Sequence, residues 1–170
     1  LSGDGADEHF GGYPTYFAHK IAPLAKTARP LLSRLTQSLP SSTQNLSSTY
    51  LARRFVEGAH LTLPQRNQVW LGAFLPEDIQ ALMKAPCSPW QAVERWTPQV
   101  SEITDPSLQA MYLDQRLYLA EGVLQKVDRA SMAHGLEVRS PFLDHLLIDL
   151  SSRLPTKSLW RGRNTKLHAV

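Results

Sequence analysis

Cysteine is nearly absent from this sequence: Cys87 is the single one among 170 residues. One cysteine cannot form an internal disulfide bond, so the chain fits a reducing compartment, and we expect it in the cytoplasm. No apolar stretch reaches the roughly 18 residues that a membrane span needs. No signal peptide precedes the first motif, and we therefore expect no membrane partner.

The sequence also has no dense run of one charge. It carries 18 Lys and Arg against 15 Asp and Glu, a net charge of +3. This mild excess, spread along the chain, argues against nucleic acid as a partner. Apolar residues make up 42% of the chain and charged residues 19%, which is ordinary for a folded globular protein and too apolar for a disordered one.

An initiator methionine is missing as well. The chain begins at Leu1, a glycine-rich motif follows at once, and the final "TKLHAV" has no helix-end signal. The length suits one domain or a large piece of one. We therefore expect an internal fragment of a longer protein.

What the sequence does contain is mostly helical pattern. We expect a strand to end at residues 1–2, a turn over Gly3–Gly5, and a short helix with Asp7 and Glu8 in its first turn. Further helices are predicted at 22–38 (broken or kinked at Pro30), 47–58, 64–72, 76–84, 89–96, about 107–134, and from an N-cap at Ser140 to Pro155.

The predicted helix over 107–134 has the clearest periodicity. Apolar residues recur at spacings of three and four, which predicts one buried face: Leu113, Leu117, Ala120, Leu124 and Val127.

The opening stretch "SGDGADEHFGGY", residues 2–13, sets carboxylates among glycines. Gly3 and Gly5 would let backbone N–H groups approach a phosphate, and a helix N-terminus adds positive potential. Carboxylates beside phosphates need a cation between them, and Mg²⁺ at Asp7 is the natural choice. Asp4 would then face the reacting centre. A purely structural interpretation, in which the acids only cap a helix, stays open on these residues alone.

Three blocks resemble the asparagine synthetase family of glutamine-dependent amidotransferases. The opening stretch is similar to that family's S-G-[DE]-G-x-D-E-x-F-G-G-Y segment. Residues 123–150, "VLQKVDRASMAHGLEVRSPFLDHLLIDL", resemble its L-x-K-x-D-R-x-S-M-A-x-x-L-E-x-R-x-P-F-L-D segment, and 161–170 resemble its [GN]-x-x-K segment. The blocks keep the family's order, while residues 20–105 match it loosely.

The resemblance implies an α/β parent domain with a parallel sheet, of the PP-loop ATP pyrophosphatase or adenine nucleotide alpha hydrolase-like type. The family's S-G-G-x-D-S loop and its glutaminase domain with an N-terminal Cys would lie upstream, and neither occurs in this sequence. Residues 1–170 would be the C-terminal, helix-rich part of the synthetase domain, inactive by itself. The resemblance also allows a homodimer of the full-length protein.

The resemblance further implies a reaction. ATP adenylates the aspartate side-chain carboxylate, and ammonia from glutamine attacks the acyl-adenylate to give L-asparagine, AMP and pyrophosphate. Asp4 would support adenylation and accept a proton from the attacking nitrogen, and Lys166 would neutralise charge on the phosphates. The residues implied to contact ATP or its Mg²⁺ are Ser2, Gly3, Gly5 and Asp7.

Departures from the family pattern bear on the substrate. "LYLAEGVL" stands where many members read L-P-[DE]-[DE]-[IL]-L, and Asp4 is one methylene shorter than the more usual Glu. A relative that forms another amide, such as a β-lactam synthetase, a lasso-peptide cyclase or a sugar-acid amidotransferase, therefore stays open. So does a non-catalytic helical binding module.

Overall fold

A computed structural model describes residues 1–37, 47–84, 87–161 and 164–165. These residues are mostly helical, as predicted for the chain. The helices, in chain order, are α1 (Ala6–Phe10), α2 (Pro14–Gln37), α3 (Ser48–Gly58), α4 (Leu63–Leu71), α5 (Pro76–Leu82), α6 (Gln91–Glu94), α7 (Thr97–Ser101), α8 (Pro106–Leu113), a π-helix (Asp114–Val123), α9 (Leu124–Met132), a 3₁₀ turn (Pro141–Leu143), α10 (His145–Ser152) and α11 (Thr156–Leu159). Within the described ranges, no helix is both long and apolar enough to cross a bilayer.

Among the residues that the structure describes, strands are limited to one short pair. Strands β1 (Trp160–Arg161) and β2 (Asn164–Thr165) are antiparallel, with Trp160 opposite Thr165. The strand expected at residues 1–2 is not formed: the segment makes one backbone hydrogen bond, from Ser2 N–H to the carbonyl of Arg139 at 2.9 Å. A single bond is not a ladder.

The chain divides into two compact units. The first comprises Leu1–Tyr16 and Ile103–Val170, and the second comprises Phe17–Glu102. The core of the first unit is a cluster of buried side chains from α2, α8 and α11, with partly buried neighbours around it. Its members are Tyr16, Ala110, Met111 and Leu159, packed against Tyr13, Leu108 and Leu154.

The long helical stretch in the first unit is not a uniform α-helix. Its middle is the ten-residue π-helix, and at the end of that segment the N–H of Leu124 bonds to the carbonyl of Leu119, five residues back. The wider turns of a π-helix shift the face that an α-helical spacing predicts. Leu113 and Leu119 are buried whereas Ala120 is exposed, so the predicted apolar face is wrong at Ala120.

Other helix bounds also differ from the prediction: α2 begins at Pro14 rather than at residue 22, and the helix predicted over 89–96 is replaced by the separate helices α6 and α7. Helix α2 runs unbroken through Pro30, which is exposed; the missing N–H costs that helix one hydrogen bond and the other turns continue. Ser140 is not the N-cap of the last predicted helix. Asp144 is, because its carboxylate accepts a hydrogen bond from the N–H of Leu146 at 2.9 Å.

A buried polar network holds the second unit. His19 and Asn67 are completely buried and Arg66 nearly so. The guanidinium Nε of Arg66 donates to Nδ1 of His19 at 3.1 Å, so the proton of the neutral ring lies on Nε2, 3.0 Å from Oδ1 of Asn67. Burial, followed by the charge of Arg66, lowers the pKa of His19 to about 3.

This network makes stability depend on pH. The unfolded chain protonates His19 near pH 6.5 and the folded chain only near pH 3. Protonation of His19 therefore favours the unfolded chain. The free energy of unfolding falls as the pH drops through this interval, by about 2 kcal/mol between pH 6.5 and 5. Urea unfolding at both pH values measures the loss. His19→Gln, which keeps a donor and an acceptor, should reduce it, whereas His134→Gln at an exposed site should not. Equal losses in all three proteins would contradict the prediction.

Candidate functional site

The site is built on the turn that precedes α1. Asp4 and Gly5 form the turn, and α1 follows with Asp7 and Glu8 in its first turn, as predicted. The carbonyl of Gly3 accepts from the N–H of Ala6 at 3.3 Å, and that of Gly5 accepts from the N–H of His9 at 3.1 Å. The carboxylates thus lie at the positive end of the short helix, where negative charge is stabilised.

The two glycines of the turn have different surroundings. Gly5 is buried with φ of +91°, and a β-carbon there would collide with the side chain of Leu143. Gly3 is exposed, and a β-carbon there would meet nothing within 4 Å. Folding therefore requires glycine at position 5, while the space beside Gly3 is open to a ligand.

Ser2 and Asp4 are joined by their side chains. The hydroxyl of Ser2 donates to Oδ2 of Asp4 at 2.5 Å and lies 3.0 Å from the hydroxyl of Ser140. The N–H of Asp4 also points at the Ser2 hydroxyl, at 3.3 Å. Five of the six predicted site residues therefore lie on one turn and its following helix; the sixth, Lys166, lies outside the described residues.

Beneath the turn, α1 is held by a second set of hydrogen bonds. Glu8 is only 3% exposed, and its carboxylate accepts from the hydroxyl of Tyr13 at 2.7 Å. Gln115, on the π-helix, donates its side-chain amide to the carbonyl of Glu8 at 3.0 Å and lies 3.3 Å from Nδ1 of His9. Burial lowers the pKa of His9, and burial followed by the Glu8 hydrogen bond raises the pKa of Tyr13.

A cavity of about 610 Å³ opens beside the turn, within the first unit. Ser140, which contacts Ser2, and Leu143, which packs at Gly5, belong to its wall. The full lining is Leu124, Val127, Asp128, Ser131, Met132, Gly135, Glu137, Val138, Arg139, Ser140 and Leu143. Its volume is in the range of small-molecule sites, and its wall mixes apolar and charged side chains.

The carboxylates do not form a metal cage. In the described part of the chain, no three His, Cys, Asp or Glu side chains are grouped so that they could hold a metal ion. Mg²⁺ typically binds one or two carboxylates and takes its other ligands from phosphates and water. Asp7, half-buried in the first turn of α1, can supply one such carboxylate.

Sequence patterns missed the supporting residues. Glu8 and Tyr13 lie in the opening motif but had no assigned role, and Gln115 and Ser140 reach the site from the π-helix and the segment after α9. The spacing of Glu8 and Tyr13 was visible in the sequence. The contacts of Gln115 and Ser140 span more than 100 residues, which no local pattern reports.

Comparison with known proteins gives consistent matches. A family model described as asparagine synthase matches residues 1–169. A provisionally named asparagine synthetase (glutamine-hydrolyzing) from Mycobacterium tuberculosis is 29% identical over 172 residues, and the same values hold for one from Mycobacterium bovis. Asparagine synthetase (glutamine-hydrolyzing) 1 from Bacillus subtilis is 25% identical over 175 residues.

These alignments cover 98% of this chain but 25% of the mycobacterial proteins and 26% of the Bacillus protein. The chain thus spans about a quarter of the length of the curated relatives that it matches. No solved structure matches it significantly.

The Glu8–Tyr13 pair can be tested by removing one hydroxyl. Tyr13→Phe leaves a buried carboxylate without that donor, so we expect the free energy of unfolding to fall by about 1–3 kcal/mol. Tyr118→Phe is the matched control, since Tyr118 packs edge-on against Tyr13 and is 42% exposed. Urea denaturation at pH 7 measures both. A loss of the same size in the two variants would mean that the hydrogen bond to Glu8 contributes nothing specific.

Proposed function

The chain belongs to the asparagine synthase family, and from that membership we propose that it is the C-terminal part of the synthetase domain of an ATP-dependent, amide-forming ligase. The complete enzyme would adenylate the side-chain carboxylate of aspartate and transfer glutamine-derived ammonia to it. The products would be L-asparagine, AMP and pyrophosphate. The names of the relatives favour this carboxylate and this nitrogen source over those of other amide-forming enzymes.

The observation that carries the proposal is the open turn at Gly3. Its backbone is exposed just before a short helix, beside a carboxylate that accepts a hydrogen bond from Ser2, and Ser2 in turn contacts Ser140 in the cavity wall. Phosphates of ATP would lie against Gly3, where no side chain blocks them, with the N–H groups of the turn nearby. A parallel sheet of the PP-loop type and an upstream S-G-G-x-D-S loop would complete the nucleotide site.

Charge on the departing pyrophosphate must be neutralised as the carboxylate attacks the α-phosphate. Mg²⁺ bound with ATP would supply a Lewis acid for these oxygens, with Asp7 as its protein ligand. Lys166 would contribute a second positive charge to the same phosphates. Because Asp7 lies in the first turn of α1, the framework of Glu8, Tyr13 and Gln115 beneath that helix would fix its position.

Asp4 would support formation of the acyl-adenylate and act again when nitrogen attacks it. Its Oδ2 is occupied by the hydroxyl of Ser2, and no hydrogen bond of Oδ1 occurs among the described residues. Oδ1 could therefore accept a proton from the nitrogen that attacks the acyl-adenylate. A carboxylate at position 4 fits this step, because ammonia must lose a proton when it forms the amide.

Exchange of radioactive pyrophosphate into ATP tests the adenylation step. The enzyme carrying this chain with its upstream domains should show exchange that depends on aspartate. Asp4→Asn should reduce the exchange rate by roughly 100-fold or more while glutaminase activity is retained. Asp149→Asn is the control, because Asp149 forms an exposed ion pair with Arg153 on α10. Equal loss of exchange and glutaminase activities in Asp4→Asn would count against the role of Asp4.

The two glycines give an independent test. Gly3→Ala should leave the thermal unfolding midpoint nearly unchanged and raise the KM for ATP, because the added methyl group would occupy the space proposed for phosphates. Gly5→Ala should instead lower the unfolding midpoint, since alanine there combines a positive φ with a collision at Leu143. If Gly3→Ala binds ATP as the wild type does, the phosphates do not lie against this turn.

A further inference from the structure

Ser140 contacts the site although it lies 138 residues from Ser2 in the chain. Its hydroxyl makes no capping hydrogen bond to the 3₁₀ turn that follows, so helix capping does not explain it. The partner that the structure gives it is the hydroxyl of Ser2, 3.0 Å away.

The direction of this hydrogen bond follows from the other partner of Ser2. A serine hydroxyl has one proton to donate, and that of Ser2 goes to the carboxylate of Asp4, an acceptor. The oxygen of Ser2 must therefore accept from Ser140. The three side chains form a directed series, from the hydroxyl of Ser140 through that of Ser2 to Oδ2 of Asp4, in which each bond polarises the next.

The backbone keeps the donor in place. The carbonyl of Arg139, next to Ser140, accepts from the N–H of Ser2 at 2.9 Å, so main chain and side chain of this dipeptide both hold Ser2. On the other side, the N–H of Leu143 bonds to the carbonyl of Ser140 at 3.0 Å and starts the 3₁₀ turn. Ser140 is thus fixed between two hydrogen-bonded segments, while Ser2 alone could rotate its hydroxyl away from Asp4.

We propose that Ser140 is a positioning residue for the ligase reaction: it orients the Ser2 hydroxyl so that the Asp4 carboxylate keeps one oxygen bound and presents the other to the reacting nitrogen. This inference rests on the proposed function. It gives the segment after α9 a role in catalysis through Ser2, without contact between Ser140 and substrate.

The test is a double-mutant cycle in the complete enzyme. Ser140→Ala should lower kcat for asparagine formation from aspartate, ATP and ammonia roughly three- to tenfold, the effect of one lost hydrogen bond, with little change in the KM values for ATP and aspartate. In a Ser2→Ala background, Ser140→Ala should have no further effect. Ser140→Thr should restore the rate, since it keeps the hydroxyl and an extended backbone suits threonine.

Ser152→Ala is the matched control, because Ser152 is exposed on α10 and donates its hydroxyl to the carbonyl of Asp149, outside the cavity wall. It should form asparagine at the wild-type rate. The inference is overturned if Ser140→Ala is as active as the wild type, if it lowers kcat by the same factor with and without Ser2, or if threonine fails to restore the rate.

Failure of the proposed function would look different, because the wild-type enzyme itself would show no exchange. The positioning role is then decided by crystal structures of the wild type and Ser140→Ala. A turned Asp4 carboxylate in the variant would support it, and an unchanged one would overturn it.

Discussion

The hydrogen bond from the N–H of Ser2 to the carbonyl of Arg139 joins the start of the chain to the segment after α9. Among the described residues it is the backbone hydrogen bond that connects the turn carrying Asp4 to the cavity wall, next to the contact between the hydroxyls of Ser2 and Ser140. Closing so large a loop is entropically costly, and that cost is offset by the packing of α1 against α8, α10 and the π-helix. The chemistry proposed for the turn thus depends on contacts far from it in sequence.

Local chemistry explains what could be predicted. Glycine at a position of positive φ and acidic residues in a first helical turn are properties of a few adjacent residues. The turn and α1 could therefore be predicted from the sequence. Pro64 and Pro76 at helix starts belong to the same class. The predicted site residues on this turn lie together in the structure, and the family resemblance, now confirmed over residues 1–169, supplied their proposed roles.

Tertiary contacts explain what could not be predicted. The π-helix appears in no periodicity of the sequence, and the contacts made within it, the burial of Leu119 and the hydrogen bond of Gln115 to α1, are tertiary. Ser140 has the sequence signature of an N-cap, a serine before a proline, and only its approach to Ser2 shows another use. Asp144 takes the capping position four residues later. The contacts of Gln115 and Ser140 are with partners more than 100 residues away, which the local sequence does not report.

The missing side chain of Gly5 and the side chain of Leu143 share one volume. A smaller residue at 143 would make room for a methyl group at 5 but would leave the left-handed backbone of Gly5 unrelieved. Compensation between the two positions therefore runs one way. The side chain at position 143 can vary in size while position 5 stays glycine. No substitution at 143 removes the backbone strain of another residue at position 5. Substitutions at position 143 would therefore change the shape of the cavity wall without changing the conformation of the turn.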